Sequence, residues 1–529
     1  MKGKRRSRAL SDQQIDAILE DMMRGDLNLG EAEETLERLQ AVRSRVVPKL
    51  VAMLQRLALG EPAGGQETPP RELTAGHRSD VLLVLLGYLG DAAIIAPLQS
   101  LVRDSSVADG LKLKVISLIY QTDPEGDVGE LLAHLHDPHA AVHADLYEHL
   151  AHLTSPQDLA LWLEMTEMRL PPDLRTMLVE SVAGLDDASA VPLLICMCYD
   201  PDDDVALLAM DAVERFKDAR ALPGLEELAR LHPRPKVRNA ARKTADRLNI
   251  RASLVPQAQP SSPAPVYACY LTTMDGSGTQ MAFVVRTLSD EALMLVAVAF
   301  NDLDGIEECF GAPIHMDQVD GLMQEWTEPG VPVVRVSHGQ CLATLDVARE
   351  ATWSSGRPLP MPYVAWRELI EGSRPAEGVD IGFSALAVPT ERQAELLSRC
   401  HELLFQDEFE YWFIDVDELG DLAEQYLRLA ESKVSGIDEP TLRQFLCQGV
   451  GQLMSAEFRG LVRARLQRVA PLLREIYEED DVWQWAVVAA AALADDSPLP
   501  FQDHPLLLAM VAYSLENVLG APIDWPAAI

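Results

Sequence analysis

Between Arg78 and Ile250 the apolar positions repeat at two scales. Within short runs they fall three and four residues apart, the period of an amphipathic helix. The runs themselves return at a longer, nearly fixed interval. The apolar residue that opens the second helix of each unit is Leu111, Val142, Leu174, Val205 and Val237, at intervals of 31, 32, 31 and 32 residues. Prolines at the turn into the units, Pro138, Pro172, Pro201 and Pro233, stand 34, 29 and 32 apart. A third register, Pro97, Pro192 and Pro223, follows Gly- and Asp-rich turns, and its intervals of 95 and 31 residues are three units and one. Two helices of roughly 12 residues and two short turns fill such a unit. A pair of that size buries its apolar face only against its neighbours, so about five pairs must share one long core. The prolines fall in turns or in the first helical turn, where a missing N–H breaks no intrahelical bond.

The flanks read differently. Residues 11 to 59 predict helices, the first capped by Ser11 with Gln14 at the capping-box position, the second interrupted at Pro48. A Gly- and Pro-rich loop, residues 61 to 70, separates them from the repeats. The Pro-rich stretch from Val255 to Pro265 ends the array as a linker. Beyond it the chain reads as a second domain. Residues 266–272, 279–287 and 292–299 predict strands, 331–336 a fourth, with Asp275-Gly276-Ser277-Gly278 as a hairpin turn. Residues 307–310, 316–326 and 340–354 predict helices, packed on one face of the sheet, and 356–389 read as irregular. From Thr390 the helical period returns at 391–406, 417–434, 439–456, 459–478, 482–493 and 503–519, with no fixed repeat, which predicts a helical bundle.

The consensus inside the repeats carries a resemblance. Asp200-Pro201, Val205, Ala209 and Ala212-Val213, followed by Pro233, Val237-Arg238, Ala241, Ala245 and Leu248, is similar to the HEAT-repeat superfamily in its short-period bacterial form. Val142-His143 and Val205-Ala206 lack the usual Arg. The resemblance covers about a third of the chain and implies a scaffold fold; repeats of this kind are mostly binding surfaces and, in a few cases, enzymes. The expected layout is multidomain and mostly α: N-terminal helices with a basic arm (1–60), a HEAT-like α-solenoid (78–254), a small antiparallel α+β domain (266–389) and a C-terminal helical domain (390–529).

Charge narrows the partners. Lys plus Arg number 45 against 82 Asp plus Glu, a formal net charge of −37. That opposes non-specific binding to nucleic acid or anionic lipid, and leaves nucleic acid a candidate only through a local basic patch. Seven scattered cysteines form neither a disulfide framework nor a zinc knuckle. The basic start Met1–Arg8 is followed by no apolar signal core, and no 18-residue apolar run occurs. The expectation is a cytoplasmic protein without a membrane span.

Candidate chemistry is sparse. Six of the twelve histidines lie between residues 134 and 152, and His139 and His143 are one helical turn apart. That spacing lets two imidazoles hold Zn²⁺ or Ni²⁺; the competing reading is a polar solvent face. No other cofactor is expected. Asp302 and Asp304 sit in a turn at a strand end, with His315 beyond them, and form a candidate site of the middle domain together with His338. Cys341, three residues from His338, is a candidate thiolate at a helix start. A basic stripe runs through Arg234, Lys236, Arg238, Arg242, Lys243 and Arg247. It suits a solenoid cap, a docking surface for an acidic partner, or phosphate contacts. Aromatics cluster at Phe405, Phe409 and Tyr411-Trp412-Phe413, as core or as interface anchors. The expected function is protein–protein binding by the solenoid, with nucleic-acid binding through the stripe, or an enzyme site in the middle domain, as alternatives.

Overall fold

The computed structural model describes the chain except for residues 1–9, 25–34, 37, 59–74, 125, 151–155, 167–169, 186–189, 253–263, 290–291, 328–330, 373–380, 415, 433–435, 478–480, 524 and 527–528. It divides into two units, Met1–Glu226 with Ala240–Val255, and Glu227–Asn239 with Pro256–Ile529. Among the described residues no helix is long and apolar enough to cross a membrane.

In the first unit, α1 (Asp12–Arg24), α2 (Arg43–Ala58) and α3 (Ala75–Leu89) precede the repeats. The predicted capping box is present: Gln14 N–H donates to Ser11 Oγ, and Ser11 N–H to Gln14 Oε1. Helix pairs follow as α4 (Ile95–Arg103) with α5 (Asp109–Thr122), α6 (Val128–Leu132) with α7 (Pro138–Leu150), α8 (Pro156–Thr166) with α9 (Pro172–Gly184), and α10 (Val191–Met197) with α11 (Asp203–Phe216); in chain order α12 (Leu222–Leu231) and α13 (Pro235–Ala252) come next, with Glu227–Asn239 assigned to the second unit. The apolar openers all fall within the first five residues of a second helix. Val142, Leu174, Val205 and Val237 are buried there and Leu111 is half-buried. Second helices stack in chain order, α3 on α5, α5 on α7, α7 on α9 and α9 on α11. This is the neighbour-to-neighbour packing that a repeat period requires.

Polar ties follow the same rule. Lys112, almost fully buried, donates to the His134 carbonyl 2.9 Å away, and Asp109 accepts from the His136 and Asp137 N–H groups, both at 2.9 Å. Partly exposed ion pairs join consecutive second helices: Lys114 with Asp80 at 2.7 Å and Arg247 with Glu214 at 2.6 Å. Such surface pairs add at most about 1 kcal/mol each, so the apolar stack carries the array.

The second unit holds a five-stranded antiparallel sheet in the order β4-β3-β2-β1-β5, from β1 (Val266–Thr272), β2 (Thr279–Thr287), β3 (Ala292–Asn301), β4 (Gly305–His315) and β5 (Val333–Val336). The helix expected at 307–310 is instead part of strand β4. Its register slips between Ala299↔Glu308 and Phe300↔Ile306, so Glu307 is the extra residue of a bulge. The bulge puts two successive glutamates outside and hides the alternation that marks a strand.

Helices cover both faces of the sheet, not one. On the first face α14 (Val319–Glu325) adds Val319 and Met323 to a core of Tyr270, Phe283, Val285 and Leu295. On the second lie α15 (His338–Ser354) and α16 (Met361–Glu371), the latter inside the stretch read as irregular. Pro362 looks like a breaker in sequence but occupies the first turn of α16. Trp366 of this helix, fully buried, packs where Gly311 leaves room on β4. Arg286 of β2, also fully buried, caps the helix end by donating to the carbonyls of Leu369, Ile370 and Gly372.

The C-terminal helices are α17 (Thr390–Arg399), α18 (Val416–Ser432), α19 (Glu439–Leu453), α20 (Ala456–Ile476), α21 (Val482–Ala492) and α22 (Pro505–Leu519). They share one core that includes Leu422, Leu446, Leu466, Ala489 and Leu508.

Candidate functional site

The repeat surface begins with the residues that hold each turn. Arg175 of α9 reaches forward to Asp200, at the turn into α11, through two parallel bonds of 2.7 and 3.1 Å. Its third nitrogen donates to the Leu170 carbonyl at 2.6 Å, and Asp200 also accepts the Asp202 N–H at 2.8 Å. The side chains are 10% and 0% exposed, so this is a buried, bidentate pair. Burial raises the Asp200 carboxyl above its ordinary range, against the Arg175 contacts that lower it. Asp202 then caps α11, accepting from the N–H groups of Asp204 and Val205. The turn chemistry thus fixes the pitch at which one second helix follows another and leaves their outer residues, such as Glu180 and Asp211, exposed.

The basic stripe lies along α13 and the turn before it. Arg234, Lys236, Arg242, Lys243 and Arg247 are exposed. Arg238 is half-buried, because its guanidinium donates to the carbonyls of His232 and Pro233 at 2.6 and 2.7 Å. Arg247 pairs with Glu214. The stripe is therefore part surface charge and part structural clasp, a distinction that spacing alone cannot make.

His139 and His143 are both exposed on α7, as their spacing predicts. His139 Nδ1 stands 3.8 Å from Glu180 of α9. His136 instead turns to Asp109 at 3.1 Å. His152 lies outside the described residues, and the His149 side chain is likewise outside them. Among the described residues no group of three or more His, Cys, Asp or Glu is placed to hold a metal ion.

The middle-domain candidates are not brought together. Asp302 and Asp304 occupy the β3–β4 turn, whereas His315 pairs in register with Ala292 at the other end of the same hairpin. Ten residues of strand, roughly 30 Å at about 3.3 Å each, separate them. His315 is exposed and hydrogen-bonded to Asp317 at 2.7 Å. Asp304 is exposed. Asp302 has a side chain only 2% exposed and accepts from Arg465 at 2.8 and 3.0 Å and from Arg468 at 2.7 Å. Arg465 also donates to the carbonyls of Gly276 and Ser277. Gly278 is required here: its φ is +91°, and a Cβ would fall 2.0 Å from Asp302 Oδ1. Asp302 therefore locks two turns of the sheet to α20. Cys341 is fully buried, and the adjoining Cys269 thiol together with burial pushes its own thiol well up, the reverse of a nucleophile's setting. His338 Nε2 donates to the Ile370 carbonyl, 3.0 Å away.

One polar cluster has no sequence signature. Glu227, nearly buried, accepts from Arg349 at 2.6 Å and from Arg367 at 2.7 and 2.8 Å. Both arginines also meet Glu371 at 3.1 Å, and Tyr363 donates to that carboxylate at 3.0 Å. Asp346 adds a third carboxylate at 3.3 Å from Arg349, so every charge in the cluster is paired, which is the arrangement of a structural network. Residues so far apart in the chain could not have been paired from spacing.

Residues 159–245, from α8 into α13, match a family model described as HEAT repeats. No curated protein and no solved structure matches the chain. The repeat fold expected from the Asp-Pro and Val-Arg positions therefore stands on the family match and on the helix stacking together.

Proposed function

We propose that this chain is a protein-binding scaffold whose contact surface is the row of second helices in the HEAT repeats. Repeats of this family commonly serve as protein-interaction scaffolds, and the observation that carries the reading here is the ordered stacking of α5, α7, α9 and α11. Each pair adds one rung to a continuous face whose outer residues are polar, while the middle-domain residues that might have formed a catalytic constellation lie apart or are locked in ion pairs. No disulfide joins the seven cysteines, which suits a reducing, cytoplasmic setting. A second reading, nucleic-acid binding, rests on the exposed Lys and Arg of α13. The net charge of −37 works against it at any distance beyond the local patch.

The test is site-specific photo-crosslinking in cells. Crosslinking residues replace Glu180, Asp211 and Arg242, and Glu308 on the sheet serves as the control. One discrete protein adduct at Glu180 and Asp211, absent at Glu308, is the expected result. Equal, diffuse labelling at all four positions removes the scaffold reading. A nuclease-sensitive adduct at Arg242 alone transfers the function to nucleic acid.

A further inference from the structure

After the turn that follows Phe409, exposed and buried side chains alternate from Tyr411 to Ile414. Tyr411 is 50% exposed, Trp412 2%, Phe413 41% and Ile414 3%. Successive side chains here therefore point to opposite sides of the chain. The two inward residues are fastened. Trp412 Nε1 donates to the Met274 carbonyl at 3.3 Å, and its ring lies 4.7 Å from that of Phe409. The Ile414 N–H donates to Ser514 Oγ at 2.8 Å, and that hydroxyl donates to the Met510 carbonyl at 2.6 Å. The turn at Gly276 seats directly on this backbone: a Cβ there would fall 1.5 Å from the Tyr411 carbonyl oxygen. The two outward rings are thus held on a rigid base and could not fold away without breaking it.

Beside them is a cleft of about 330 Å³. Tyr411, Phe413 and Tyr513 wall it, and the buried Ile414 and Ser514 form its floor. Glu410 stands exposed at its edge. The Tyr513 hydroxyl donates to the Glu410 carbonyl at 3.3 Å, which ties the wall to the edge. That volume admits one or two side chains and no folded element. Aromatic rings held rigid beside a cleft lose little side-chain entropy on binding, which is why Tyr is favoured in recognition surfaces.

Charge selects the occupant. From Cys400 to Leu427 the chain carries Asp or Glu at 402, 407, 408, 410, 415, 417, 418, 421 and 424, and no Lys or Arg. Glu402 is engaged by Arg399, and Glu408 by the Tyr477 hydroxyl. Asp407, Glu410 and Asp421 remain exposed. A second copy of this chain, at −37, is repelled, as is nucleic acid. We propose that this cleft docks an extended peptide of a partner protein, with an apolar side chain seated between Tyr411 and Phe413 and an Arg or Lys set against Glu410. Aromatic clefts with an acidic edge suit pre-extended, proline-containing segments, whose ordering cost on binding is small. The surface lies wholly in the second unit and does not depend on the repeat face.

The probe is a labelled octapeptide, Arg-Pro-Leu-Pro-Arg-Leu-Pro-Arg, titrated by fluorescence anisotropy into the full-length protein. Two control peptides replace every Arg by Glu, or every Leu and Pro by Gly and Ser. Each control is expected to bind at least tenfold more weakly. Y411A and F413A are each expected to weaken the parent peptide about tenfold, F413Y to retain it, and E410Q to weaken it about threefold while flattening its salt dependence. All three positions are exposed, and unchanged unfolding midpoints establish that the variants fold. No binding of the parent peptide at low salt overturns the proposal. So does equal binding of the Gly/Ser control, or undiminished binding by the Y411A/F413A double variant, since either marks a diffuse attraction to an acidic surface. Loss of the repeat-face crosslinks leaves this result untouched, so the two readings fail separately.

Discussion

Replacing Asp302 by Ala should destabilise the second unit by about 3–5 kcal/mol, the range for removing one partner of a buried ion pair. The magnitude follows from what is left behind. Asp302 is 2% exposed and its two partners, Arg465 and Arg468, are 9% and 8% exposed. Arg465 would keep the Gly276 and Ser277 carbonyls, but Arg468 would keep only a 3.4 Å contact to the Ala464 carbonyl. Burial already lowers the Arg468 pKa, with the Asp302 charge opposing that shift, so removal of the carboxylate leaves desolvation unopposed. D302N, which keeps the shape and one acceptor but loses the charge, should cost roughly half as much. D302A/R468M should recover part of the loss, because it removes the second cation as well. Tryptophan fluorescence during urea unfolding is the assay. Of the eight tryptophans only Trp162 lies outside the second unit, so the signal reports that unit. With a slope of roughly 3 kcal/mol/M, the D302A midpoint should fall by about 1 M or more. A loss below about 1 kcal/mol would refute the reasoning. It would mean that water reaches the carboxylate, and would reopen Asp302 as a group available for chemistry.

Two further expectations concern pH and the repeats. His504 is fully buried, Nε2 faces the Ala489 carbonyl at 3.2 Å, Nδ1 has no hydrogen-bond partner, and burial lowers its pKa to about 4. Between pH about 6.5 and about 4 the unfolded chain binds a proton that the native chain does not, so stability should fall by about 3 kcal/mol as pH drops through that window. The wild type minus H504Q difference in urea midpoint isolates the effect, and equal pH slopes in the two proteins would contradict it. In the first unit D200A should leave the Arg175 guanidinium buried with only the Leu170 carbonyl, at a cost of about 3 kcal/mol. Hydrogen exchange should accelerate roughly a hundredfold in α9 to α11 and stay unchanged in α1 and α2; uniform acceleration across the unit would contradict neighbour-limited stability.

The repeats were legible because one constraint recurs. Each pair must bury the same face, so Val142, Leu174, Val205 and Val237 mark the same structural position and the period announces the fold. The three strands at 266–299 were legible as short apolar runs between turn residues, and both faces of each are largely buried. What failed were positions governed by a single distant contact. Glu307 and Glu308 read as helix because a bulge breaks their alternation. The stretch 356–389 read as irregular because the first-turn role of a proline such as Pro362 appears only with the helix that follows. Asp302 read as a functional carboxylate because Arg465 and Arg468 lie more than 160 residues away in the chain. Tyr411 and Phe413 could not be separated from Phe409 and Trp412 by composition, because exposure there is decided by the Met274 carbonyl and the Ser514 hydroxyl.

The two units therefore respond to damage by different rules. In the repeats the buried polar ties join a helix to the next turn, as Lys112 to His134 and Arg175 to Asp200 do, so a lost tie loosens its own rung and the one beside it. In the second unit Gly276, Gly278, Asp302, Tyr411 and Arg465 meet at one point, and they come from two sheet turns, the segment after Phe409 and a helix. A lost contact there loosens all four at once. The aromatic cleft stands on that junction, since the Gly276 turn underlies Tyr411. D302A should for that reason weaken peptide binding at Tyr411 and Phe413 even under conditions where the unit stays folded, although Asp302 itself is not among the residues that line the cleft. Peptide affinity unchanged in folded D302A would show instead that the base of the cleft is held by the Trp412 and Ile414 anchors alone.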